Sequence, residues 1–143
     1  MPFARVLPAV LLPWLVYHAM VLAHYSAFAA DPVAVLDRTV LFVPLISGNG
    51  WIISLGDIVV ALTVATGFLE VLKSSTVGKG QMLEYVLTTL LFAAVLVEFL
   101  YYPWAQTSVF FFMVLALVLD LVVGYTVGVR VARRDLSIGR LSV

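Results

Sequence analysis

SVFFFMVLALVLDLVVGYTVGV, residues Ser108 to Val129, sets the class of this chain: 22 residues carry a single charge, Asp120. A helix needs roughly 20 mostly apolar residues to cross the hydrocarbon core of a bilayer. Working outward, three more stretches meet that measure: Gln81 to Tyr102, Trp51 to Leu72, and Val6 to Ala30. The last ends in Ala-Phe-Ala-Ala and resembles a secretory signal. Its two prolines, two histidines and long apolar core, with only Arg5 before it, favour a retained span.

Composition agrees. Of 143 residues, 64% are hydrophobic and 11% charged, with a mean hydropathy of +1.14. So few charges cannot cover the surface of a soluble domain of this length. Eight basic residues balance eight acidic ones, leaving no basic footprint for nucleic acid. The chain has no cysteine, which removes disulfides, thiolate metal sites and cysteine nucleophiles. The expected fold is all-α, a single integral membrane domain over residues 1–143, built as a bundle of four transmembrane helices.

Basic residues set the direction. Arg5, Lys73, Lys79, Arg130, Arg133, Arg134 and Arg140 fall on one side of a four-span arrangement, and Arg38 alone on the other. By the positive-inside rule both termini are cytoplasmic. Trp51 and Tyr101-Tyr102-Pro103-Trp104 then mark the outer interface. The connection from Asp31 to Gly50 is too apolar for a free loop. Asp31-Pro32 suits the start of a short helix, Pro44 prevents a long one, and Ser47-Gly48-Asn49-Gly50 reads as a turn. This segment is expected to lie semi-buried at the outer face, in the interface or over the bundle mouth.

Five acids fall inside the spans: Asp57, Glu70, Glu84, Glu98 and Asp120. Each must be paired, protonated or near water, because an intramembrane carboxylate costs about 2.5–3.5 kcal/mol on insertion scales. Glu70 with Lys73, and Lys79 with Glu84, read as cytoplasmic ion pairs. His24, Asp57 and Glu98 lie at one outer level and form a candidate polar cluster. They would hold a proton or ion, take a hard metal, or simply hydrogen-bond to Ser54, Tyr101 and Tyr102. His18 and Asp120 share mid-membrane depth and form a candidate pair. Ala116, Gly124 and Gly128, with Asp120, make a small-residue ridge on which a neighbouring helix can approach closely.

No catalytic residue and no resident metal or cofactor is assigned. Both histidines sit on one helix and point apart, against a haem held by two facing histidines. No phosphate loop, His-Glu-x-x-His or Gly-x-Ser-x-Gly is present. The polar faces on Thr63, Thr66, Gly67 and Glu70, and on Ser54, Asp57 and Ala61, need cover, which points to association. The expected function is non-enzymatic: a structural or accessory subunit packing against itself as a homo-oligomer, or against a larger membrane complex. The alternative is a small proton-coupled or ion-handling transporter using intramembrane carboxylates. An enzyme directed at lipid or quinone is the minor reading, resting on size and hydrophobicity only.

Gly56-Asp57, Glu70-Val-Leu-Lys73, Val97-Glu98-Phe99-Leu100, Thr107-Ser108, Asp120 and Arg130-Val-Ala-Arg-Arg-Asp135 together resemble a group of small, uncharacterised four-helix inner-membrane proteins of proteobacteria. The resemblance covers residues 51–135. It implies a multi-pass protein of the bacterial inner (cytoplasmic) membrane and a recurrent use of these acids, without a substrate or reaction.

Overall fold

The computed structural model describes residues 7–28, 31–74 and 81–139, and of residues 28, 74, 81, 82 and 127–139 the backbone alone. Four helices run in order: α1 (Leu11–Phe28), α2 (Leu55–Ser74), α3 (Gln81–Tyr101) and α4 (Ser108–Gly139). Between α1 and α2 stand a 3-10 helix (Pro32–Asp37) and two strands, β1 (Thr39–Pro44) and β2 (Gly50–Ser54). A 3-10 turn, Pro103–Ala105, joins α3 to α4.

Among the described residues three helices are long and apolar enough to cross a membrane, over Leu55–Lys73, Leu83–Tyr101 and Ser108–Thr126. These correspond to the second, third and fourth stretches of the sequence reading. α1 is shorter than the stretch read from Val6 to Ala30, with 18 residues. Pro13 falls in its first turn, where the missing N–H has no intrahelical partner to lose. α4 runs ten residues beyond Val129, so the chain carrying Arg130, Arg133 and Arg134 is helical backbone.

α2 packs most extensively on α4, and α3 packs on α4 as well. Gly67 lies at the first crossing, where a Cβ would make an ordinary contact, 3.9 Å from the Ala116 methyl. Gly124 permits the second more tightly, because a Cβ would come within 2.6 Å of the Tyr85 ring. Ala116 and Gly124 thus spend the small-residue ridge inside the chain; the surroundings of Gly128 lie outside the described residues. α1 leans mainly on α2 and on the 3-10 helix, and only slightly on α4. The core between them is Val10, Tyr17, Val21, Val59, Val95, Phe110, Met113 and Leu117.

The connection between α1 and α2 departs from the sequence reading. Asp31 does begin a short helix, its carboxylate accepting from the Val33 N–H at 3.1 Å, but that helix is 3-10 and ends at Asp37. Residues 39 to 54 then form an antiparallel hairpin, pairing Leu41 with Ile53, Phe42 with Ile52 and Val43 with Trp51. An extra residue at Val40 bulges β1. The turn closes through the Leu45 N–H on the Asn49 carbonyl at 2.8 Å, with Gly48 at φ 82°, a conformation that favours glycine. Trp51 to Ser54 are therefore strand, and α2 starts four residues later than the apolar run suggests. A continuous apolar run has no internal mark separating helix from strand; β-branched Ile52 and Ile53 favour the strand.

Candidate functional site: two polar ties between helices

The first tie lies between α1 and α3. Trp14 and His18 are four residues apart on α1, so both rings project on one side. Glu98 of α3 meets them. Trp14 Nε1–H donates to Glu98 Oε2 at 2.7 Å, and His18 Nε2 lies 3.0 Å from Glu98 Oε1. The other ring nitrogen, His18 Nδ1, is 2.8 Å from the Trp14 carbonyl oxygen. A carbonyl only accepts, so Nδ1 carries a proton. Both ring nitrogens and both carboxyl oxygens are occupied.

Aromatic rings enclose this tie. The Trp14 ring lies 4.3 Å from the His18 ring, and the Trp104 ring meets His18 edge-on at 5.0 Å. Tyr17, fully buried, donates its hydroxyl to the Trp104 carbonyl at 2.6 Å and stands 3.1 Å from Thr107 Oγ1. Thr107 in turn accepts from the Phe110 N–H at 3.1 Å and caps α4. Outside the tie, His18, Val21, Leu22, Tyr25, Pro32 and Trp104 line a cavity of about 380 Å³.

The second tie joins the last turns of α2, the start of α3, the chain just ahead of α1 and the middle of α4. Glu70 is 2% exposed, and it accepts the Ala9 backbone N–H ahead of α1. Lys73 Nζ lies 3.3 Å from Glu70 Oε2 and 2.6 Å from Glu84 Oε1, and donates to the Leu7 carbonyl at 3.1 Å. Asp120 of α4 feels the charges of Glu70, Glu84 and Lys73, and its carboxyl accepts the hydroxyl of buried Thr88 on α3. Three acids and one lysine thus converge from α2, α3 and α4.

Two groupings read from sequence take different partners. His18 and Asp120 do not pair: His18 spends both nitrogens on Trp14 and Glu98, and Asp120 turns to Thr88. Equal depth did not make them neighbours, because α1 lies against α2 and barely touches α4. Nor do His24, Asp57 and Glu98 gather into one cluster. Asp57 is the third residue of α2 and bonds to Ser54: Oδ2 accepts from the Ser54 N–H at 2.8 Å and the Ser54 hydroxyl at 2.9 Å, while the Asp57 N–H reaches Ser54 Oγ at 3.2 Å. This is a reciprocal capping box, and Ser-x-x-Asp is its visible sequence signature. His24 is half-buried on α1, beyond His18. Among the described residues no three of His, Asp and Glu are placed to hold a metal ion.

Of the expected ion pairs, Glu70–Lys73 forms on α2. Glu84 reaches across to Lys73; Lys79, its expected partner, lies outside the described residues. The threonines cover their own polarity. Thr63 donates to the Val59 carbonyl at 2.8 Å and Thr66 to that of Leu62 at 2.9 Å. The Thr63, Thr66 and Glu70 face of α2 is thus closed within the chain, whereas Asp57 and Ala61 on the other face are exposed. Trp14, Tyr17, Trp104 and Thr107 were missed as site residues; the Trp14–His18 spacing was the available signal.

No family model, no curated protein and no solved structure matches the chain.

Proposed function

We propose that this is a non-enzymatic integral membrane protein of the bacterial inner membrane, with α1 as a fourth span and both termini cytoplasmic. It serves as a structural or accessory subunit that packs against itself or a larger membrane complex. The observation that carries this is the saturation of its interior: Glu98, His18 and Lys73 direct their polar atoms at other parts of the same chain. Such groups fasten helices together, which suits a structural role. The outward faces are apolar, with Val64, Phe68, Leu90, Val97 and Leu119 exposed, which suits lipid and neighbouring helices alike. The basic-residue asymmetry supports the orientation, and the resemblance over residues 51–135 supports the location. Mild solubilisation followed by mass measurement tests the subunit role. An oligomer or a co-purifying membrane partner is expected; a strict monomer alone overturns it.

A second reading, a small proton-coupled or ion-handling transporter, is favoured by one observation: the His18 imidazole and the Glu98 carboxyl group stand within hydrogen-bond distance of each other between helices. Flux into proteoliposomes separates the two readings.

A further inference from the structure

We propose that the β1–β2 hairpin lies in the plane of the membrane interface, its side chains in the upper acyl region and its strand edges among the headgroups. This rests on the integral-membrane reading above. Three observations carry it. First, the hairpin runs without a break into α2, whose membrane-length segment begins at Leu55, so its strands stand at the boundary of the apolar layer. Second, residues 39 to 54 hold no charged side chain. Third, both faces are open and apolar. Paired residues share a face: Phe42 and Ile52 are 60% and 57% exposed on one, Leu41 and Trp51 are 54% and 55% exposed on the other. A protein partner docking on a two-stranded ribbon covers one face. A fluid apolar medium covers both.

The backbone sets the depth. β1 and β2 pair only with each other, so each keeps one edge of unbonded N–H and C=O groups. Open edges are not tolerated in hydrocarbon, where nothing can satisfy them. Apolar side chains draw the hairpin inward, and the edges stop it where water and lipid carbonyls can reach. Phe42 also lies across Gly50, shielding a bare stretch of backbone on its face.

The absence of cysteine makes the test direct. Ile52→Cys and Trp51→Cys report the two faces, and Val64→Cys, exposed on α2 within its apolar segment, reports a spanning position. Each full-length variant is spin-labelled in vesicles of phosphatidylethanolamine and phosphatidylglycerol, and collisions with oxygen and with a water-soluble nickel complex are compared. Both hairpin labels are expected to favour oxygen, at a ratio below that of Val64. A preference for nickel at the hairpin with Val64 still favouring oxygen overturns the hairpin proposal alone. Shielding of either hairpin face from both reagents also overturns it, in favour of a protein partner, and a hairpin ratio equal to that of Val64 overturns the depth. Nickel preference at Val64 itself means that the membrane reading has failed.

Discussion

His18 Nε2 lies 3.0 Å from Glu98 Oε1 and joins helices whose contacting residues are 80 positions apart. With Trp14 on the same carboxyl group, this is the polar fastening between α1 and α3. Glu98→Gln keeps it, because an amide oxygen can accept from Trp14 while the amide N–H donates to an Nδ1-protonated His18. Glu98→Ala leaves the Trp14 and His18 nitrogens unsatisfied and should cost about 1–3 kcal/mol. Unfolding by denaturing detergent against mild micelles measures both variants; equal losses would refute the assignment. Under the transporter reading Glu98→Gln folds normally yet abolishes flux.

Lys73 and Glu84 tie α2 to α3, so their energies should couple. In a double-mutant cycle with Lys73→Met and Glu84→Gln, the coupling is expected at about 1–2 kcal/mol, within the range for contacting residues. Lys73→Met alone should be the worse single change, since it leaves the buried Glu70 carboxylate without its cation. Additive losses would show that the 2.6 Å contact does not persist in solution.

Asp57 acts at the start of α2. Ser54→Ala or Asp57→Ala should each cost about 1 kcal/mol, the range of a lost N-cap, and the double variant little more than either. Amide exchange should quicken across the first turn of α2 and stay unchanged at its far end. Loss of protection throughout α2 would contradict a local capping role.

Two glycines on helix crossings should respond with opposite sign. Gly124→Ala pushes a methyl into the Tyr85 ring and should destabilise by about 1–3 kcal/mol, relieved when Tyr85→Leu is added. Gly67→Ala meets nothing closer than 3.9 Å and should be neutral, or stabilise by up to about 1 kcal/mol through helix propensity. The same unfolding assay ranks them.

The sequence was most legible where length and hydropathy suffice. α2, α3 and α4 follow from long, mostly apolar runs, because lipid-compatible helices must satisfy their backbone internally over a membrane-sized length. The hairpin was not legible that way. Val40 to Ile46 and Trp51 to Ile53 are apolar throughout, and strand alternation disappears when both faces are apolar. Ser54-Leu-Gly-Asp57 did carry a readable helix start. Side-chain partners were the least accessible. Glu98 and Asp120 could be placed by depth along their helices, but which neighbour each meets depends on helix rotation about its axis, and a four-residue ridge constrains that only in part. Ala116 and Gly124 marked the face of α4 that is packed, without naming Gly67 and Tyr85 as what packs on it.

The fastenings of α1 all reach far ahead along the chain: Ala9 to Glu70 across 61 residues, His18 to Glu98 across 80 and Trp14 to Glu98 across 84. A ribosome delivers residues in order, so α1 emerges before any of its polar partners exists. Its end near Ala9 can be secured once α2 has been made, whereas Trp14 and His18 must wait until most of α3 has followed. During that interval the insertion machinery has to tolerate a helix carrying an unpaired imidazole and indole. Of the ties described, those of α1 wait longest for their partners.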